Sequence, residues 1–455
     1  MPPTPASRIN IGELLDNSTV GPLQIRVFVL CMISLIMDGF DVQAMGYVGP
    51  AVRAEMGLSP SQFGTILSAT NVGVLVGSLG LSMVADKIGR RPVLIGATMF
   101  FALLTFATAF ARDFQELIWL RFIGGIGMGC IIPNSTALVG EFSPKRSRVT
   151  LTMCITVGFT IGGALGGFVA RWMIPAYGWR SVLVFGGTVP MVIALLMLWG
   201  LPESLQFLAV RRRRLDLLAK WLKKLDPRIH IDAATEFITR EGSKGGVPFV
   251  HLFREGRAAA TVLLWLVNFT NLLNLYFLSG WLTSVMTNMG YDQNTAVLVG
   301  TTLQVGGTIG TFGLAWLISR SGFIPMLTAT FAVAAVSIAL IGMPGLSLAM
   351  LTVIVFIAGW CVVGGQPGVN TLAATYYPTY LRTTGIGWGL GIGRIGAIAG
   401  PYIGGVLLGL EWTTQQLFLI AAVPAVITTV AMFALRYVMT LPETAGAGPA
   451  EVRSH

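Results

Sequence analysis

Asn71-Val72-Gly73-Val74-Leu75-Val76-Gly77-Ser78-Leu79-Gly80 and Gln304-Val305-Gly306-Gly307-Thr308-Ile309-Gly310-Thr311-Phe312-Gly313 are one pattern written twice, 233 positions apart. At the same shift Lys87 falls on Arg320 and Gly89 on Gly322. One further residue of shift aligns Pro133 with Pro367, Pro144 with Pro378 and Arg148 with Arg382. Leu201-Pro202-Glu203-Ser204 closes one copy and Leu441-Pro442-Glu443-Thr444 closes the other. Glycines alone could coincide in a chain holding 56 of them, but prolines and polar residues at the same offset mark an internal duplication.

Each copy is built from long apolar runs. Twelve are legible: 24–46, 63–84, 92–111, 117–139, 151–171, 181–200, 258–286, 296–318, 325–342, 348–373, 384–408 and 417–438. A hydrocarbon core ~30 Å thick needs about 20 apolar residues per helix, so each run can span a bilayer. Hydrophobic residues make up 54% of the 455 positions, charged ones only 11%, and the mean hydropathy is +0.74. A soluble domain needs roughly a quarter of its residues charged, which excludes that class. A barrel would show short alternating segments instead, leaving helices as the spanning form. Glycine inside the runs lets helices approach closely in a membrane. The expected fold is therefore all-α and integral to the membrane, with twelve transmembrane helices in two six-helix repeats. The expected units are residues 1–200, a connector over 201–257, and 258–455.

The basic residues fall on one side. Arg90, Arg91, Lys145, Arg146, Arg148, Arg211 to Arg214, Lys220, Lys223, Lys224, Arg254, Arg257, Arg320 and Arg382 lie in even-numbered connections, against Arg53, Arg112, Arg171 and Arg180 opposite. By the positive-inside rule both termini and the 201–257 connector face the cytoplasm. The net charge of +10 is then a topology signal rather than a nucleic-acid footprint. In the connector, Leu205, Leu208, Leu215, Leu218, Trp221, Leu222 and Leu225 recur at helical spacing, giving an amphipathic helix laid on the membrane or the bundle, or a solvated linker. The N-terminus, with Arg8, Glu13 and Asp16, is too polar for a cleavable signal peptide. Cys31, Cys130, Cys154 and Cys361 sit in apolar runs without paired spacing and read as buried free thiols. No metal or cofactor is implied. With His230, His251 and His455 in loops or tail, an intramembrane enzyme lacks a base or ligand set.

Four charges lie deep in the runs: Asp38 and Asp41 in the first, Arg121 and Arg394 in the fourth and eleventh. Each costs at least ~2.5–3.5 kcal/mol at a bilayer centre, so their presence suggests function. Asp38 and Asp41, three apart, share a helix face. Two neighbouring carboxylates in a dry setting cannot both ionise cheaply, so one can carry a proton. A guanidinium keeps its proton and offers a planar fork to a carboxylate, which suggests an anionic cargo, with Arg394 nearer the midplane than Arg121. The alternative for each arginine is a counter-ion for Asp38 or Asp41. Asn271, Asn274 and Gln366 supply polar lining, and Phe40, Tyr276 and Trp388 could stack on a planar ligand. Trp281, near a helix end, reads as a stacking residue or an interface anchor.

Ser82-Met83-Val84-Ala85-Asp86-Lys87-Ile88-Gly89-Arg90-Arg91, between the second and third runs, resembles the signature loop of the major facilitator superfamily, with Ser82 where glycine is usual. Its counterpart in the second half is degenerate, with Ser319 opposite Asp86 and Phe323 opposite Arg90. The resemblance gives Asp86, Arg90 and Arg91 a role in a cytoplasmic gate, with Arg148 as the matching element of a later loop. Asp38-Gly39-Phe40-Asp41, Leu252-Phe253-Arg254-Glu255-Gly256-Arg257 and Gly393-Arg394-Ile395-Gly396 resemble the aromatic acid/proton symporters of that superfamily. This resemblance implies proton coupling at Asp38 and Asp41, and anion binding or charge balance at Arg121 and Arg394.

Together these features lead us to expect a non-enzymatic, multi-pass transporter of the bacterial cytoplasmic membrane, monomeric in the lipid bilayer, importing a small aromatic carboxylate with protons. A non-aromatic acid symporter and a drug/proton antiporter are the alternatives; a transporter-fold sensor is a third.

Overall fold

The computed structural model describes residues 8–210, 215–225, 236–238, 249–378 and 380–439. Arg211 to Arg214, His230, the motif Leu441 to Thr444 and His455 lie outside them.

Where no water can serve the backbone, long apolar segments satisfy their own N–H and C=O groups by coiling into helices. The first half comprises α1 (Ile11–Asn17), α2 (Pro22–Met56), α3 (Pro60–Ile88), α4 (Arg90–Thr108), α5 (Phe114–Met128), α6 (Ile131–Phe142), α7 (Arg148–Tyr177) and α8 (Trp179–Gly200). The connector holds α9 (Leu205–Val210), α10 (Leu215–Leu225) and a 3₁₀ turn over Phe249–Phe253. The second half comprises α11 (Ala258–Asn288), α12 (Gln293–Ser321), α13 (Phe323–Ile341), α14 (Leu348–Tyr376), α15 (Arg382–Gly409) and α16 (Thr414–Val438). A parallel ladder of three residues a side joins Arg8–Asn10 to Glu236–Ile238. Eleven spans are long and apolar enough to cross a membrane, counting α5 with α6 as one, and α1 with α2, bent by 92°, make a twelfth.

The duplication is repeated in the element bounds. α3 and α12 are both 29 residues long and begin 233 positions apart, at Pro60 and Gln293; α4 and α13 are both 19 residues, beginning at Arg90 and Phe323. Packing repeats as well: α2 lies on α7 as α11 lies on α15, α3 on α5 as α12 on α14, and α4 on α8 as α13 on α16. Two differences from the expected runs have local causes. α2 runs to Met56, well past residue 46, because Arg53 and Glu55 lower hydropathy without opposing a helix; Gly57, at φ 63°, ends it. The fourth span breaks between α5 and α6, where Pro133 has no N–H to give the carbonyl of Gly129. The connector helices are not solvated along their apolar edge. Leu205, Leu208, Leu218 and Leu222 are buried in the same core as Ile11 and Leu15.

The halves meet on the side opposite the connector. Ser68 Oγ donates to the Ile398 carbonyl at 2.8 Å, and Phe63 lies edge-on to Trp281 at 5.6 Å. Trp281 is no interface anchor: it is fully buried, and its Nε1 donates to the Pro401 carbonyl at 2.9 Å. A Cβ on Gly64 would sit 2.7 Å from the Pro401 carbonyl oxygen and 3.0 Å from Gly405 Cα. On the connector side, the side-chain hydrogen bonds and ion pairs among the described residues stay within one half, as in Arg90 with Glu141 and Arg148 with Asp16. The far side is therefore closed, while among the described residues no side-chain hydrogen bond or ion pair joins the halves on the connector side. Substituting Gly64→Leu should hold α3 and α15 apart. We expect at least a tenfold loss of transport, and greater labelling of a cysteine placed near residue 401, in protein that still elutes as a single species. Unchanged labelling would show that this contact does not close the far side.

Candidate functional site

The middle of the first half is organised by one ion pair. Asp41, on α2, is fully buried, and Arg121, on α5, is 3% exposed. Arg121 Nη1 donates to Asp41 Oδ1 at 3.1 Å, and Nη2 donates to the Asp41 carbonyl at 3.3 Å. Nη2 also lies 3.0 Å from Oδ2, in ion-pair range though not angled for a hydrogen bond. Thr105, from α4, donates to Oδ1 at 2.7 Å, and Arg121 Nε donates to Thr70 Oγ1 at 3.4 Å. Four helices thus converge on one ion pair. Of the two roles open to Arg121 in the sequence, the structure places it as the counter-ion of Asp41.

Asp38 differs, one turn away. It is 3% exposed, and its Oδ1 has no hydrogen-bond partner. The charges whose fields reach it are Arg394, from the second half, and Asp41. Arg394, on α15, is half-buried and donates from Nη1 to the Tyr276 hydroxyl at 3.1 Å. Among the described residues no carboxylate lies within ion-pair distance of it. The two arginines within the spans are therefore unequal: one is neutralised, the other is not.

Beside Arg121 and Tyr276 lies a cavity of ≈20 Å³, bordered by Gln43, Thr70, Asn71 and Arg121 of the first half and by Tyr276 and Ser279 of the second. That volume holds about one water, whereas small-molecule sites measure about 300–1,000 Å³, so the halves must part for a ligand to enter. Gln43 and Ser279 were not singled out by the sequence. A charge census finds ions, and a neutral amide in an apolar run looks like any other helix-packing residue.

The remaining candidates separate. Asn271 Nδ2 donates to Gln366 Oε1 at 2.7 Å, and Gln366 Nε2 donates to Asn268 Oδ1 at 2.9 Å, so these amides tie α11 to α14. Asn274 turns away from the cavity. With its amide oriented for hydrogen bonding, it donates to the Ala421 carbonyl at 2.9 Å and accepts from Ala425 N–H at 3.2 Å. It is thereby inserted in the α16 ladder beside Pro424, where a proline loosens the turn. Phe40 is buried inside the first half against Phe185, at 5.5 Å between ring centroids. Trp388 lies about 9 Å of helix toward the connector side from Arg394 and stacks on Trp265 at 6.1 Å. These last three do not border the cavity.

The signature-loop residues form a second cluster on the connector side. Arg90 pairs with Glu141; the Arg90 and Arg91 backbone N–H groups donate to Glu203 Oε1 at 3.0 and 3.2 Å; Arg91 Nη2 donates to the Leu198 carbonyl at 2.6 Å. Glu203 is 8% exposed and closes over Gly89, whose φ of 110° and missing Cβ leave room for the carboxylate. Asp86 is exposed and takes no part in these bonds. Arg148 binds the Gly140 and Ser143 carbonyls and the Asp16 carboxylate, which ties α1 to the fourth and fifth spans.

A duplicated twelve-helix bundle whose halves close over buried charges on one side only defines a secondary transporter, not an enzyme. The chain belongs to the Major Facilitator Superfamily, whose family model matches residues 31–344 and 264–454. It is 36% identical to the 4-hydroxybenzoate transporter PcaK of Pseudomonas putida over 93% of this chain and 94% of that protein. It is 37% identical to the gallate transporter of the same organism, over 95% and 96%, and 30% identical to the benzoate transport protein of Acinetobacter baylyi, over 93% and 92%. Its fold matches a bacterial homologue of the human lysosomal transporter Spinster, inward-facing and occupied, with a TM-score of 0.70 at 16% identity, covering 92% of this chain and 98% of that one.

Removing one member of a buried ion pair leaves an uncompensated charge, at a cost of about 3–5 kcal/mol. Arg121→Gln should therefore lower the melting temperature in detergent markedly, and Asp41→Asn combined with Arg121→Gln should recover most of the loss. Additive losses in the double variant would count against the pair as the organising contact.

Proposed function

We propose that this protein imports small aromatic carboxylates of the benzoate and hydroxybenzoate class together with protons, by alternating access. The observation that carries the reading is the uncompensated guanidinium of Arg394 at the seam. A cation in a low-dielectric site without a carboxylate favours an anion, and the planar fork suits a carboxylate bidentately. The Tyr276 hydroxyl holds that fork in place. The relatives named for 4-hydroxybenzoate, gallate and benzoate supply the class of acid.

Asp38 is our candidate proton carrier. Its carboxyl has an unpartnered oxygen and lies in the field of Arg394. A substrate carboxylate on Arg394 would neutralise the charge that favours ionised Asp38, so that proton and substrate load together. Asp41, held by Arg121 and Thr105, would keep α2, α4 and α5 in register while the halves rock. We assign residues 1–200 and 258–455 to the rocking halves and 201–257 to the connector. The basic residues on the connector side support a cytoplasmic placement of that side and of both termini, in a bacterial inner membrane. The unbridged connector side then corresponds to an inward-facing monomer in lipid. Arg90, Arg91, Glu141, Glu203 and Arg148 would form the inner gate when the halves swing the other way, with Asp86 free to meet the second half.

Uptake of labelled 4-hydroxybenzoate, benzoate and protocatechuate into proteoliposomes tests the reading. An inward proton gradient should stimulate accumulation of at least one acid; no stimulation of any would overturn the proposal. Asp38→Asn should abolish gradient-driven accumulation while counterflow exchange survives, and intact accumulation would remove Asp38 from the proton path. Arg394→Lys should raise the half-saturation concentration at least tenfold, because a point ammonium loses the fork. An unaltered value would make the arginine structural.

A further inference from the structure

The cavity at the seam holds a polar group that nothing in the charge pairing uses. Gln43 is 2% exposed and borders the cavity, yet its Nε2 has no hydrogen-bond partner. The other polar side chains around it are engaged. Arg121 is on Asp41, Thr70 accepts from Arg121, Asn71 donates to the Leu67 carbonyl at 3.2 Å, Tyr276 accepts from Arg394, and Ser279 accepts from Gln304 at 3.0 Å. A buried amide donor left empty is disfavoured, and such exceptions call for a ligand, a water or a functional reason.

Its placement is fixed by packing. A Cβ on Gly163 would lie 3.0 Å from Gln43 Cγ and 3.2 Å from Gln304 Cδ, so α7 has a glycine where the stems of two glutamines, one from each half, pass. Burial of the Gln43 stem leaves the side chain few rotamers to lose, which keeps the ordering cost of binding low.

The geometry points to Gln43 as the residue that reads a ring hydroxyl of the transported acid, while Arg394, held by Tyr276 of the same cavity, takes the carboxylate. This assignment rests on the aromatic-acid reading above. A hydroxyl both donates and accepts, and a carboxamide offers both functions, whereas a neutral amide cannot compete with a free guanidinium for the carboxylate. Val42, Met45, Leu67 and Pro401 border the same cavity and supply apolar surface for the ring. A site with a buried hydrogen-bonding group discriminates against the analogue that leaves it unpaired.

Half-saturation concentrations for labelled 4-hydroxybenzoate and benzoate in proteoliposomes test the assignment. Wild-type protein should favour the hydroxylated acid by about tenfold or more. In Gln43→Leu, and in the unbranched Gln43→Met, the preference should collapse toward unity. The same test can be made from the ligand side on unaltered protein, where 4-methylbenzoate, which offers no oxygen to the amide N–H, should compete less well than 4-hydroxybenzoate. A ratio unchanged in both variants, equal losses for both acids, or equal competition by the methyl acid would overturn the assignment and leave the cavity to a water molecule. Wild-type protein that takes up neither acid would instead overturn the aromatic-acid reading itself.

Discussion

The bundle depends on backbones that touch. A Cβ on Gly73 or Gly77 would collide with the carbonyls of Phe122 and Ile126, and one on Gly306 or Gly310 with those of Phe356 and Trp360. The second set is the first moved by the duplication, glycine for glycine and carbonyl for carbonyl. The same holds between the first and fifth spans of each half, where Gly162 lies on the Ile36 carbonyl and Gly396 on that of Phe269. In lipid no hydrophobic drive favours helix against helix over helix against acyl chain, so close van der Waals contact has to supply the association. Glycine is the residue that permits it, and it recurs where the two halves needed it before they diverged.

Divergence is written on the same scaffold. Gly39 packs on Phe159 in the first half; at the corresponding contact in the second, Leu272 packs on Gly393. Large and small have changed places across one interface. The polar positions have diverged further: Asp38 and Asp41 correspond to Asn271 and Asn274, and these amides tie α11 to α14 and to α16. Among the described residues the buried carboxylates of the spans lie in one half and the uncompensated cation in the other. Charge that must respond to a ligand at the seam is thereby split across the surface that opens and closes.

The two arginines show why a deep charge is not by itself a site. Both sit in apolar runs, and each was open to either role. Arg121 gains a carboxylate, a carbonyl and a hydroxyl from other helices, and these satisfy most of its donors. Arg394 gains one phenol. In a low-dielectric setting that difference decides whether the group stabilises the fold or attracts an anion, and it arises from partners brought in by distant parts of the chain.

Apolar length, the 233-residue repeat and the positions of proline determined the spans, the duplication and most helix ends from the sequence alone, because a bilayer permits so few backbone solutions. The four charges within the spans were equally legible, since ions in such runs are rare. Tertiary structure alone decided that Arg121 belongs to Asp41, that Phe40, Trp388 and Asn274 turn from the cavity, that Glu203 closes over Gly89, and that Gln43 stands empty-handed at the seam. Those facts depend on which side chains meet across helices, and a periodicity of 3.6 residues gives the face of a helix but not what lies opposite it.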